Sequence, residues 1–283
     1  MSQLSSPEQA DREILSLIDL ERYPIADMES PGGRAFVERC ARHMKEHGWC
    51  SLDGFIRPEA LQELAGEATE LLPGAAQLTI TRNIYGHAAD AGLPAGNPAR
   101  HEISHNALQL ADDQIGTDTL VKRLYHCAVL TEFVARVQGK SRLFVSGDEF
   151  QALNIVALQP GEWQGWHYDH DECVVTLLLQ SADAGGEFLF LPNCRTRETE
   201  DTEMVERLIG GDTSAATSFG RSAGTLTMFR GEFSLHGVSR VEGTRPRITA
   251  IFTYDDVPNR VSTDDINIRI YGERVERILN ERA

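Results

Sequence analysis

Apolar positions change their rhythm near Gly139. Before it they recur at helical spacing: Phe36, Val37, Cys40, Ala41 and Met44 lie over 34–47 and stop at Gly48. A second stripe, Leu61, Leu64, Ala65, Ala68 and Leu71-Leu72, follows Pro58, which a first helical turn tolerates, and ends at Pro73-Gly74. Leu120, Leu124, Ala128, Phe133 and Val137 predict one helix over about 119–137, and a short helix is expected over 14–20. After Gly139 the apolar runs shorten to strand length, each bounded by Gly, Pro, Asn or Asp. They cover 151–158, 164–169, 173–180, 186–191, 224–229, 233–240 and 246–254. Such a run of strands after a helical start predicts a β-rich α+β fold. Its expected form is a double-stranded β-helix, a cupin-like jelly roll, with N-terminal helices bracing one sheet.

No internal repeat and no long Pro/Gly/Ser linker interrupts the chain, so one domain over 1–283 is the economical organisation. Residues 1–139 form a mainly helical lead-in, 140–257 the jelly-roll core, and 258–283 a C-terminal extension. The polar insert 192–222, with a short helix at 203–209, is expected to lie over one end as a lid or loop.

Composition narrows the partners. With 41% hydrophobic residues the chain can bury an ordinary core, and its charge, 27 − 43 = −16, repels a phosphate backbone or an anionic membrane on average. Nucleic acid and membrane are therefore not expected partners. Five cysteines without a CxxC indicate neither a disulfide framework nor a zinc knuckle. The N-terminus lacks a basic-then-apolar signal and no apolar run approaches membrane-spanning length, so a cytoplasmic location is expected. The sequence leaves oligomeric state open.

The chemistry concentrates in the second half. His167 and Asp169 flank Tyr168, and alternate side chains of a strand share a face, so this HxD is a two-ligand clip. A tripeptide of this kind arises by chance roughly once in every two such chains, so alone it decides little. His236 follows 69 residues later in Phe233-Ser-Leu-His-Gly237, and Arg247-Ile-Thr249 eleven residues after that. Two imidazoles and a carboxylate on one face leave the opposite metal positions open, which suits a non-haem ferrous centre that activates dioxygen. A fixed guanidinium two residues from a hydroxyl can clamp one carboxylate of a dicarboxylic acid. A metal-binding cupin without turnover has no need of that clamp.

In this order, together with Gly185-Gly-Glu-Phe188, Leu177-Leu-Leu-Gln180 and Arg245-Pro-Arg247, the motifs resemble the 2-oxoglutarate/iron(II)-dependent oxygenase superfamily. Within it they are similar to the carrier-independent amino-acid halogenases and their hydroxylase relatives. The resemblance implies iron(II), 2-oxoglutarate and dioxygen, with His167, Asp169 and His236 as catalytic metal ligands and Arg247 and Thr249 holding 2-oxoglutarate. The halogenases of that group carry Gly or Ala in place of the metal carboxylate, which frees a position for halide. This chain keeps Asp169, which implies hydroxylation of an unactivated C–H in a small molecule, with a free amino acid or natural-product intermediate as expected substrate. Desaturation, epimerisation and cyclisation use the same cofactors and remain open.

For the substrate the resemblance implies acidic residues near the HxD strand, here Asp148, Glu149 and Asp171, with His170 standing where an acid is usual. Arg82 and Arg100 are candidates for a substrate carboxylate, and Trp163 and Trp166 for pocket walls.

Overall fold

The computed structural model describes residues 12–219 and 221–282. Among them no helix is long and apolar enough to cross a membrane. We number the strands of the main sheet β1 (Trp49–Leu52), β2 (Ala76–Arg82), β3 (Ile103–Leu110), β4 (Leu153–Leu158), β5 (Trp163–His167), β6 (Val174–Gln180), β7 (Phe188–Leu191), β8 (Thr217–Phe219), β9 (Leu226–Phe229), β10 (Leu235–Val238) and β11 (Arg247–Phe252). The helices are α1 (Pro31–His47), α2 (Pro58–Leu71), α3 (Leu120–Tyr125), α4 (Ala128–Val137), α5 (Thr202–Ile209), α6 (Asp264–Tyr271) and α7 (Glu273–Asn280).

The sheet runs β1-β9-β6-β11-β4-β3-β5-β10-β7-β8, with β2 joined to β3, and every pairing is antiparallel. It curls on itself as a double-stranded β-helix, the expected fold. Period-2 alternation sorts the larger half into two faces. Leu153, Ile155, Ala157, Val175, Leu177, Leu179, Leu226, Met228, Ile248, Ala250 and Phe252 point outward and form one apolar core with α1, α2, α3 and α4. The other face carries Asn154, Val156, Thr176, Phe229, Arg247, Thr249 and Ile251 toward the interior. The two amphipathic helices form where their stripes predict. Ser30 caps α1 by accepting from the Gly33 N–H at 3.0 Å, Pro31 opens it, and Gly48 closes it at φ +78°.

Several expectations need correction. The lead-in, besides its helices, also supplies β1, β2 and β3 to the sheet, strands that the apolar pattern did not predict. The stripe over 119–137 makes two helices, because Cys127 adopts an extended backbone between them. That break lets Tyr125 lie fully buried, with its hydroxyl donating to the Thr253 carbonyl at 2.6 Å. Over 14–20 a helical turn ends early, since Ile18 bridges to Ile56 and the chain exchanges backbone bonds through Asp19 and Arg57 with Phe55 and Leu17. Within the insert, α5 lies against the outside of the sheet. Its Val205 and Leu208 pack with Tyr168, Leu191, Cys194 and Leu235 on the outer face of the smaller half. The C-terminal extension forms α6 and α7, which pack Tyr271 and Val275 against Phe150 and Ala111.

Candidate active site

Register places the ligand types. In the β10–β5 ladder His236 sits directly opposite His167, so residues 69 apart in sequence face each other across one backbone pair. Strand β5 ends at His167, and Asp169 lies just beyond it, its N–H donating to the Gly231 carbonyl at 3.1 Å. Gly231 is required there: a Cβ on it would stand 2.2 Å from Asp169 Oδ2. Ligand atoms of His167, Asp169 and His236 all lie within 4.8 Å of one another.

Both imidazoles are turned the same way. His167 Nδ1 lies 2.8 Å from the Gly165 carbonyl and His236 Nδ1 lies 2.9 Å from the Ser234 carbonyl, contacts that place a ring proton on Nδ1 and turn Nε2 toward Asp169. His236 Nε2 is 3.1 Å from Asp169 Oδ2, and His167 Nε2 is 3.7 Å from Oδ1. Asp169 Oδ2 is shielded from solvent yet has no donor in hydrogen-bonding geometry. Two imidazole Nε2 atoms and a carboxylate converging this closely are a cation site, and ferrous iron fits this donor set. Charge follows the same logic. Burial opposes ionisation of Asp169, but attraction and a hydrogen bond from His236, with attraction from His167, outweigh it and hold the carboxyl at about 2, and Asp169 in turn raises His236 against the effect of burial. Burial, with the neighbouring His236, lowers His167 to about 4, so its ring is neutral and free to ligate at neutral pH.

A cleft of about 280 Å3 runs from this triad between the two halves of the sheet. At its far end Arg247 is buried, and its Nη1 donates to Thr249 Oγ1 at 2.5 Å. No carboxylate among the described residues pairs with it, and burial pulls its guanidinium down to about 10. A buried cation beside a hydroxyl, at the opposite end from the metal donors, fits the distal carboxylate of 2-oxoglutarate. Phe188, Phe229 and Val238 wall the space between, and the Phe229 ring lies edge-on to His236 at 4.9 Å.

The candidate substrate residues separate. His170 and Asp171 line this cleft at its rim, and Arg82 lines a second cavity of about 220 Å3 that shares Gln109, Gln164, His167, Asp169 and His170 with the first. Asp148, Glu149, Trp166 and Arg100 line neither. Asp148 is buried, accepting from the N–H groups of Phe150, Gln151 and Ser262 and from Asn267. Glu149 is exposed and pairs with Arg282. Arg100 donates to the carbonyls of Ala91 and Leu93, and Trp166 packs with the outer-face cluster around Tyr168. Trp163 lies beneath the Arg240 guanidinium, 4.2 Å away, also outside the cleft. Residues not anticipated from sequence include His105, whose ring meets His167 edge-on at 5.0 Å, and Gln109, Gln151, Asn154 and Tyr271 along the cleft. Arg221 and Gly231 were equally hidden, since only the folded topology carries them to the site.

Residues 33–271 match the family described as Halogenase D. The chain belongs to the halogenase D family. With this fold and donor set, that family membership makes it a 2-oxoglutarate/iron(II) oxygenase, a dioxygenase-type enzyme. Solved structures share the fold. The non-haem α-ketoglutarate-dependent epimerase SnoN of nogalamycin biosynthesis is 16% identical, with a TM-score of 0.56 over 79% of this chain and 82% of that one. AviO1 from Streptomyces viridochromogenes Tue57 is 15% identical, with a TM-score of 0.53 over 80% and 97%. The carbocyclase SnoK of nogalamycin biosynthesis is 13% identical, with a TM-score of 0.53 over 77% and 83%. Among curated proteins the sequence has no match. In this chain a carboxylate, that of Asp169, stands beside the two histidines.

Proposed function

We propose that this protein hydroxylates an unactivated C–H of a small molecule, a free polar amino acid or a related natural-product intermediate. Asp169 carries the reading: its carboxylate stands against the Nε2 atoms of both histidines, in the place a halide would need. His167, His236 and Asp169 hold the iron. Arg247 and Thr249 hold the distal carboxylate of 2-oxoglutarate, which fixes the keto acid end toward the triad. Bound iron with 2-oxoglutarate supplies dioxygen activation: one oxygen atom enters succinate, one becomes the product hydroxyl, and carbon dioxide leaves.

The side chains do the positioning. The carbonyls of Gly165 and Ser234 fix both rings, and Phe188, Phe229 and Val238 exclude water from the path between metal and clamp. Cavities of about 280 and 220 Å3 suit a small molecule more than a folded partner. Asp171 at the rim is placed to receive a substrate ammonium, and Arg82, across the shared wall of Gln109, Gln164 and His170, a substrate carboxylate. Asp148 and Glu149, spent on other partners, have no such role in this reading.

The test is an aerobic reaction of the iron-loaded enzyme with 2-oxoglutarate, chloride and a panel of amino acids. Hydroxylation predicts a product heavier by one oxygen, with matching succinate. A chlorinated product would refute it, and a product lighter by two hydrogens or of unchanged mass would move the outcome to desaturation, cyclisation or epimerisation.

A further inference from the structure

The far end of the cleft holds more positive charge than the Arg247-Ile-Thr249 motif supplies. Arg221, which leaves the insert just before β9, lines the same cleft, and its Nη2 donates to Thr176 Oγ1 at 2.9 Å. Its guanidinium lies 5.4 Å from the centre of the Phe188 ring. Its Nε is shielded from solvent and bonded to nothing among the described residues. Arg247 is held in the matching way by Thr249. The two threonines are on neighbouring strands and one face: Thr176 is opposite Ile251, and Leu178 opposite Thr249. Such diagonal neighbours are about 7–8 Å apart, within reach of long side chains. Two guanidiniums are thereby tethered over one patch of sheet, and no carboxylate among the described residues pairs with either. Burial and then the Arg247 charge push Arg221 well below the usual arginine range, the signature of like charges in a dry space. A counter-charge has to come from outside the described residues.

We propose that Arg221 is a second clamp on the distal carboxylate of 2-oxoglutarate, which lies between two guanidiniums, one from β11 and one from the 192–222 insert. This rests on the 2-oxoglutarate reading above and adds a cosubstrate-binding residue to it. It gives the insert a role as well: α5 braces the outer sheet face, and Arg221 reaches the cosubstrate end. A keto acid without a distal carboxylate leaves two buried cations unpaired and is rejected on that account.

Calorimetric titration of the manganese-loaded protein separates the two ends, because oxalate chelates the metal without a distal group and 2-oxoglutarate engages both. Arg221→Gln is expected to weaken 2-oxoglutarate at least about tenfold while oxalate binds as to wild type, with Arg221→Lys in between. Unchanged 2-oxoglutarate affinity, or parallel loss of oxalate, overturns the proposal. Melting of the metal-free proteins guards against a folding defect. Arg221→Met should be at least as stable as wild type, since it removes an unpaired buried charge, and glutarate should stabilise wild type but not the variant. A destabilised variant that glutarate stabilises as strongly as wild type would make Arg221 structural. Wild-type protein that binds oxalate but not 2-oxoglutarate would overturn the cosubstrate reading itself, and this proposal with it.

Discussion

The two ends of the cleft are built for opposite charges. At one end the Nε2 atoms of His167 and His236 converge with the Asp169 carboxylate, whose buried Oδ2 lacks a donor in hydrogen-bonding geometry. At the other, Arg247 and Arg221 lie over one sheet face, and no carboxylate among the described residues pairs with either. Unpaired groups of either kind are costly when buried, so each end is explicable only through what it binds. A cation at the first and a dicarboxylic keto acid spanning both neutralise them together. The comparison also separates the roles: the metal end decides which chemistry occurs, and the arginine end decides which co-oxidant enters.

Substitutions can break the two ends separately. Asp169→Ala removes a direct ligand, so hydroxylation should fall by more than the ~10–100-fold typical of outer partners, as read by coupled succinate release. Arg247→Gln leaves the triad intact and should raise the Kd of 2-oxoglutarate by about 2–5 kcal/mol, or at least ~30-fold, with metal affinity unchanged. Gly231→Ala should sit between an end effect and a folding effect. Its methyl would displace Asp169, lowering metal affinity by ~10–100-fold and metal-free stability by about 1–3 kcal/mol, which metal titration and melting would resolve.

The effect of pH bears on the metal-free protein alone. His167 is held at about 4 and His105 at about 3, chiefly by burial, against an ordinary value near 6.5. Both folded values are depressed, so the unfolded chain binds more protons between the two limits. Stability of the metal-free protein is therefore full above about pH 6.5 and declines as pH falls toward 4. Denaturant midpoints across that window would test this, and a flat profile would contradict it.

How much of this was legible in the sequence follows the same division. The HxD clip, the later histidine and the RxT pair were readable because strand periodicity fixes which neighbours share a face, and β5, β10 and β11 lie within one or a few residues of the predicted spans. The apolar stripes of α1 and α2 were readable for the same reason. By contrast, β2 alternates half-buried and exposed positions without a strong apolar face, so Ala76–Arg82 carried little signal. Arg221 lies in a polar insert, and nothing local distinguishes it from a surface arginine. Asp148 looked like a substrate acid by position, and only the long-range bonds to Ser262 and Asn267 show that it ties down the C-terminal extension. Hydrogen-bond partners that distant in sequence have no local signature.

The central claim is that one cleft completes a cation site and an anion site with a single bridging ligand. Anaerobic absorption spectroscopy tests it most directly. Ferrous iron alone or 2-oxoglutarate alone should give no visible band, and both together should give a weak charge-transfer band at one equivalent of each, lost in Asp169→Ala and shifted to higher 2-oxoglutarate in Arg247→Gln. Folded protein that gives no band with both present, or the same titration in Arg247→Gln as in wild type, would contradict it.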